Sequence, residues 1–175
     1  MEQKSGCALD RRDCSRLCTC IYTGILFWTA SEQCGRFDAA GIKNGDVVLV
    51  NRLVYNAMTP KRGDIIAFKP NGRENAHYYI KRIVGLPGET VQIKDGKVYI
   101  NGKEQKKDIF VSEIEKPGVA QDEITLGENE YFVLGDQASS SDDSRMADIG
   151  NVKRSEIYGK IWFNTSVGSN FGFVK

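Results

Sequence analysis

The hydrophobic pattern from residue 45 onward consists of short apolar runs separated by turn residues. Valine, isoleucine and aromatic residues dominate each run, and Gly, Pro, Asn or Asp follow it, which is typical of β-strands joined by turns. The strand candidates are residues 47–51, 64–68, 78–84, 90–94, 97–101, 131–134 and 157–163. Short strands with little helical periodicity predict a mostly β domain whose sheets close or fold to protect their edges.

The clearest local prediction is a β-hairpin over residues 91–100. Residues alternate on both sides of Asp95-Gly96, a pair suited to a two-residue type I′ turn because both of its residues must adopt positive φ. A second turn is predicted at Asn101-Gly102. Residues 104–127 are charged and weakly patterned, so they are predicted to form an exposed insertion.

The first 41 residues differ in composition from the rest of the chain. All five cysteines fall there, and basic residues precede an apolar run over residues 18–30. A membrane-spanning helix needs about 20 apolar residues, so this shorter run is interpreted as a weak anchor or a signal-like segment. If it inserts, the positive-inside rule places the C-terminal part outside the cytoplasm. A soluble chain with a buried or disordered N-terminus is the open alternative.

Size and charge narrow the classes of function. A chain of 175 residues has room for one domain with a sizeable core. Its 24 basic and 23 acidic residues leave a net charge of +1, which gives no electrostatic reason to expect a nucleic-acid partner. Cys18 and Cys20 are not spaced like zinc ligands and the only histidine is His77, so no metal site is predicted.

Residues 79–88 contain the first candidate for chemistry. Alternation along a strand places Lys81 on the same face as Tyr79 and Ile83, with Arg82 on the opposite face. An amine that is desolvated among apolar groups favours its neutral form, which can accept a proton from a serine hydroxyl. The alternative interpretation is an ordinary solvated Lys-Arg pair on an edge strand.

Several segments resemble, in the same order, the sequence boxes of type I signal peptidases. They are GD before the first strand (45–46), RGDIIAF (62–68), YIKRIVGLPG (79–88), and GD with SDDSR (135–145). The resemblance covers roughly residues 42–163. It implies a signal-peptidase-like folded β-sheet or pseudo-barrel catalytic domain over residues 42–175. Residues 1–41 would form an atypical N-terminal segment with a weak membrane anchor.

The resemblance also implies roles for individual residues. Lys81 matches the general base of the family's Ser/Lys dyad, and Ser141 matches the hydroxyl that orients the lysine amine. Asp143 and Arg145 match a buried salt bridge, in which a bidentate guanidinium would brace the catalytic loop. Without the resemblance, residues 139–144 would be interpreted as a polar surface loop.

The function that the resemblance implies is that of a serine endopeptidase, which removes signal peptides from exported preproteins without a cofactor. The expected partners are the signal peptides of exported preproteins and membrane lipid, with no nucleic acid. The expected location is the cell membrane, with the catalytic domain on the extracytoplasmic side.

The nucleophilic serine of the family is missing from this chain. Family members carry Ser-Met-x-Pro shortly before the first Gly-Asp pair, and the corresponding sequence here is FDAA, residues 37–40. Neither Phe37 nor Asp38 can replace a serine alkoxide, so the chain as written is predicted to be inactive. Ser31 and Cys34 lie nearby, but either would require a shifted strand register.

A one-nucleotide shift of reading frame would account for the substitution. With suitable codons, FDAAG at residues 37–41 becomes Ser-Met-Gln-Pro, and CGR at residues 34–36 becomes Val-Asp-Gly. The hypothesis is that residues up to about Gly41 are translated out of frame and that the true frame resumes near Ile42. The same shift would explain the crowded cysteines and the short apolar run.

Two other classes of function are compatible with parts of the pattern. A non-catalytic relative that assists export or surface assembly would require DNA that encodes Phe37 and Asp38. A self-cleaving repressor would require a DNA-binding helical module ahead of the β domain, and 41 residues with an apolar stretch do not supply one.

Overall fold

The computed structural model describes residues 27–30, 42, 46–70, 77–105, 114–137, 141–166 and 171–174. Within these residues the strands are β1 Phe27–Ala30, β2 Val48–Asn51, β3 Ile65–Phe68, β4 Tyr79–Gly85, β5 Thr90–Lys94, β6 Lys97–Ile100, β7 Lys103–Glu104, β8 Ile124–Thr125, β9 Glu130–Leu134, β10 Val152–Lys153, β11 Ile157–Asn164 and β12 Gly172–Phe173. The helix α1 spans Val54–Ala57, and 3₁₀ turns occupy Gly118–Gln121 and Arg154–Glu156.

The strands form two antiparallel sheets. The larger sheet has the order β1-β2-β11-β3-β4-β9-β10, and β12 pairs with the end of β11. The smaller sheet has the order β7-β6-β5-β8. The predicted mostly β fold is therefore confirmed, and each of the seven predicted strands is present with its ends displaced by no more than one residue.

Most of the strands that the pattern did not predict are too short to show alternation. β7, β8, β10 and β12 contain two residues each. β1 is different, because residues 27–30 end the apolar run that was interpreted as a weak anchor. These residues form an edge strand antiparallel to β2. The rest of the run lies outside the described residues, and the proposed boundary between residues 41 and 42 stays a prediction.

The two predicted turns have the backbone geometry that their sequences require. Asp95 and Gly96 adopt φ values of 51° and 73°, and Asn101 and Gly102 adopt 50° and 71°. Positive φ at both central residues defines the type I′ turn, whose twist matches that of the flanking strands. The hairpin of β5 and β6 is thus confirmed, with Val91 opposite Ile100.

Within residues 114–127, the prediction of an exposed insertion is confirmed for most side chains and is wrong for three apolar ones. Ile114, Ala120 and Leu126 are buried in one hydrophobic cluster between the smaller sheet and the ends of β4 and β9. These apolar residues are isolated among charged ones, so they produce no periodic pattern that a sequence reading could detect. Residues 106–113 lie outside the described part of the chain.

Gly85 ends β4 where the strand enters this cluster. A Cβ added there would lie 2.6, 2.7 and 2.9 Å from side-chain atoms of Leu126, Val91 and Phe132. Gly85→Ala is therefore expected to destabilise the fold by about 1–3 kcal/mol, since a close-packed core absorbs extra volume only by straining. Denaturant unfolding measures this. Gly127→Ala is the control, because its Cβ would approach only a flexible glutamate at 3.3 Å, and an equal loss would contradict the packing argument.

Candidate active site

Lys81 lies in β4, which is an interior strand of the larger sheet. Lys81 is opposite Ile66 of β3, and Arg82 is opposite Leu134 of β9. Both basic side chains are buried, and Lys81 has no exposed surface at all. The interpretation of a solvated Lys-Arg pair on an edge strand is therefore wrong, because β4 has a neighbour on each edge and packs against apolar side chains on each face.

The amine of Lys81 contacts the hydroxyl of Ser141. Nζ donates a hydrogen bond to Oγ at 2.6 Å, and Ser141 is itself buried. The two residues are 60 positions apart in the chain, so their contact is made by the fold. An amine that is held against a hydroxyl in an apolar surrounding is suited to proton transfer.

Asp143 and Arg145 form a bidentate ion pair beside Ser141. Nε of Arg145 donates to Oδ1 at 2.8 Å and Nη2 donates to Oδ2 at 2.9 Å. Asp143 is fully buried and Arg145 nearly so. Oδ2 also accepts the backbone N–H of Gly135 at 3.1 Å. Each carboxylate oxygen thus has a partner, as a buried charge requires.

Ser144 attaches the same loop to β9. Its Oγ accepts the N–H of Val133 at 3.0 Å, and its own N–H donates to the carbonyl of Val133 at 3.1 Å. Ser144 is fully buried. The alternative of a polar surface loop over residues 139–144 is wrong for its described part, 141–144, where only Asp142 is partly accessible.

A second buried ion pair, which the sequence analysis did not identify, lies between Arg82 and Asp136. Nε and Nη2 of Arg82 each donate to one carboxylate oxygen at 2.9 Å, and Nη1 donates to the carbonyl of Gly63 at 3.0 Å. The sequence placed Arg82 on the face opposite Lys81 but gave no sign that this face is buried as well. Since the structure buries it, the guanidinium needs a carboxylate partner, and Asp136 supplies it.

Asp64 is the centre of a further polar cluster on the Lys81 side of the sheet. Its carboxylate accepts the hydroxyl of Tyr55 at 3.0 Å and Nζ of Lys160 at 2.6 Å. Burial, and next the charge of Asp64, raises the pKa of the Tyr55 hydroxyl well above its usual value, so this group remains a hydrogen-bond donor. The cluster joins α1 to β3 and β11, and no feature of the sequence pattern predicted it.

The described residues bring together Lys81, Ser141, Asp143 and Arg145. Phe37, the position where a serine is expected, lies outside the described residues, as do all five cysteines. Among the described residues, no group of three or more His, Cys, Asp and Glu side chains could hold a metal ion. In the same part of the chain, no helix combines the length and apolar composition needed to cross a membrane.

The fold and the buried lysine–serine pair describe a mostly β protein with a candidate proton-transfer site. A sequence model of the family described as signal peptidase, peptidase S26, matches residues 19–165. The chain therefore belongs to the signal peptidase family, peptidase S26.

Individual relatives are similar over much of this region. Signal peptidase I P of Bacillus subtilis subsp. natto is 35% identical over 124 residues, which are 66% of this chain and 65% of the relative. Signal peptidase I T of Bacillus subtilis (strain 168) is 36% identical, with 67% and 63% covered. Signal peptidase I of Bacillus caldolyticus is 34% identical, with 75% and 76% covered. The matches thus span a little under two thirds of the first two relatives.

A crystal structure of a signal peptidase I from Enterococcus faecalis V583 is also similar. It is 36% identical in sequence with a TM-score of 0.45, and the match covers 59% of this chain and 97% of that chain.

Proposed function

We propose that this protein is built to remove signal peptides from exported preproteins with a Ser/Lys dyad in which Lys81 is the general base. The observation that supports this is the hydrogen bond between the fully buried amine of Lys81 and Ser141. A buried amine within hydrogen-bond distance of a hydroxyl is placed as a general base requires. Ser141 would orient that amine, and the ion pair of Asp143 and Arg145 would hold the loop.

The proposed reaction needs no cofactor. The proton of a nucleophilic serine moves to Nζ of Lys81 while Oγ bonds to the scissile carbonyl carbon. The carbon–nitrogen bond then breaks, and the departing amine takes the proton from Lys81. Water next attacks the ester carbon and gives a proton to Lys81, which returns it to the serine as the acid is released.

The serine is the part of the dyad that this chain lacks at the expected position. We propose that Phe37 stands where the family has its nucleophile, and that residues up to about Gly41 are read one nucleotide out of frame. The coding DNA tests this directly: a one-nucleotide shift should produce Ser-Met-x-Pro immediately upstream of Ile42. The family match begins at residue 19, within this segment, and a segment read out of frame is not expected to match its family, so the start of the match favours an in-frame segment. A DNA sequence that encodes Phe37 and Asp38 in frame would sink the proposal.

The same DNA result would favour a second candidate function. With Phe37 and Asp38 encoded in frame, the chain would be a non-catalytic relative that assists export or surface assembly. The motivating observation is that neither residue offers an alkoxide. Binding of a signal peptide without cleavage would then be the activity to measure.

We further propose that residues 1–41 form a segment with a weak anchor, that membrane lipid is a partner, and that the catalytic domain lies on the extracytoplasmic side. An aromatic cluster at the β11–β12 pairing supports lipid contact. Phe163 packs edge-on against Phe171 at 5.2 Å and Phe173 at 5.3 Å. Phe171 and Phe173 are 65% and 72% exposed, and exposed aromatic rings are suited to a membrane interface.

The double variant Phe171→Ser, Phe173→Ser should bind phospholipid vesicles roughly tenfold more weakly, because two rings would no longer leave water. Co-sedimentation with vesicles of mixed anionic and zwitterionic lipid measures the bound fraction. The control is Leu53→Ser, Met58→Ser, which also removes two exposed apolar side chains but lies outside the aromatic cluster. Equal losses in both double variants would count against the aromatic cluster.

A further inference from the structure

Residues 116–119 hold Arg145 through their backbone. Nη1 of Arg145 donates to the carbonyl of Lys116 at 3.1 Å, and the N–H of Val119 donates to the carbonyl of Arg145 at 3.0 Å. The segment therefore binds both the guanidinium and the main chain of the same residue. No side chain of the segment takes part in either hydrogen bond.

Gly118 is what permits this close approach. A Cβ added to Gly118 would lie 2.3 Å from the carbonyl oxygen of Arg145 and 2.9 Å from its Cβ. Gly118 also adopts a φ of 59°. Glycine reaches this left-handed conformation without the steric cost that a side chain brings, so the position is restricted both in conformation and in space.

The other side of the segment is fixed to the smaller sheet. The 3₁₀ turn Gly118–Gln121 places Ala120, fully buried, in the cluster with Val91 and Phe132. The side-chain amide of Gln92 in β5 donates to the carbonyl of Gln121 at 3.1 Å. Residues 116–119 are largely exposed themselves, but the two residues that follow them attach this part of the chain to the smaller sheet.

On the opposite side of Arg145, the contacts lead to Lys81. Arg145 makes three hydrogen bonds to Asp143, two from its guanidinium and one from its backbone N–H, and Nη2 lies 3.5 Å from the carbonyl oxygen of Ser141. Oγ of Ser141 in turn accepts a hydrogen bond from Nζ of Lys81 at 2.6 Å. A displacement of Arg145 by the segment would therefore be transmitted to the lysine–serine pair through direct contacts.

We propose that residues 116–119 are a positioning element for the Lys81–Ser141 pair, and that Gly118 is the positioning residue within it. The smaller sheet thereby sets the geometry of the candidate active site although none of its strands contributes a side chain to it. A role of this element in catalysis rests on the proposed function. Its effect on the position of Lys81 and Ser141 can be tested on the chain without any change to residues 37–40.

The test compares Gly118→Ala with Gly102→Ala. Gly102 also has a positive φ, of 71°, but a Cβ there would meet nothing within 4 Å. Both variants incur backbone strain, and only the first displaces Arg145. With ¹³C-labelled lysine, the NMR resonance of Lys81, identified by its disappearance in Lys81→Met, should move in Gly118→Ala and stay in Gly102→Ala. An unmoved resonance in folded Gly118→Ala, or equal movement in both, overturns the proposal.

If Gly118→Ala does not fold, hydrogen exchange of the unmodified chain tests whether residues 116–119 and the loop that carries Ser141 move together. The amide of Val119 is bonded to Arg145, and the amide of Ser144 is bonded to β9. If the segment and the loop form one unit, both amides should show protection within roughly tenfold of each other, because one opening exposes them together. Exchange of the Val119 amide roughly 100-fold faster than that of Ser144 would refute the coupling.

Discussion

With Phe37→Ser, Asp38→Met and Ala40→Pro introduced, the chain is expected to cleave a signal-peptide substrate that the unaltered chain leaves intact. Adding Lys81→Met should then lower kcat by roughly 10³-fold or more, because the serine would lose its proton acceptor. Methionine has nearly the shape of lysine without the amine, so the packing of β4 should survive. Mass spectrometry of the products and single-turnover rates measure both effects.

The control for this experiment is Lys97→Met on the same restored background. Lys97 is exposed and pairs with Glu104 at 2.9 Å, at the edge of the smaller sheet. Its loss should leave kcat unchanged. Cleavage that persists in the Lys81→Met variant would remove Lys81 from the mechanism. A restored chain that folds but does not cleave would instead argue that the nucleophile belongs elsewhere, and it would leave the geometry around Lys81 untouched.

The strand framework could be predicted because local pattern and tertiary contacts agree there. In β5 and β6, alternation and the Asp95-Gly96 turn specify the pairing without help from distant residues. The three buried residues within residues 114–127 could not be predicted, for the opposite reason. Each is a single apolar side chain, such as Ala120, that enters a cluster formed by remote strands, and such isolated contacts produce no local periodicity.

In the candidate site, too, some residues could be predicted from the sequence and others could not. Lys81, Ser141, Asp143 and Arg145 could be proposed from the boxes that the chain shares with type I signal peptidases, and the fold brings all of them together. The hydrogen bonds of Asp64 could not be proposed, because they join three separate elements whose pairing only the sheet order reveals.

Two buried ion pairs lie in the loop residues 135–137 and 141–145. Asp136 binds Arg82 of β4, whereas Asp143 binds Arg145 within the loop itself. Arg82 and Lys81 are adjacent in β4 and point to opposite faces. β4 therefore contacts the loop twice. Arg82 binds Asp136 on one face of the strand, and Lys81 binds Ser141 on the other.

Asp143→Ala is expected to destabilise the protein by about 3–5 kcal/mol, since it leaves the guanidinium of Arg145 buried without its carboxylate. The variant also removes the acceptor for the N–H of Gly135. For a chain of this size, the loss corresponds to a fall in Tm of roughly 10 °C. Thermal unfolding followed by circular dichroism measures it. Glu104→Ala, which breaks an exposed ion pair, should leave Tm almost unchanged.

The double variant Asp143→Ala, Arg145→Met tests two contributions to the free energy of unfolding separately. One is the stabilisation by the ion pair, and the other is the destabilisation by a buried charge that has lost its partner. Because Arg145→Met removes the charge that Asp143→Ala leaves unpaired, the double variant should recover part of the lost stability. It should also lose the contact with the carbonyl of Lys116, so recovery should be incomplete. A double variant less stable than Asp143→Ala alone would show that Arg145 stabilises the fold mainly through residues 116–119.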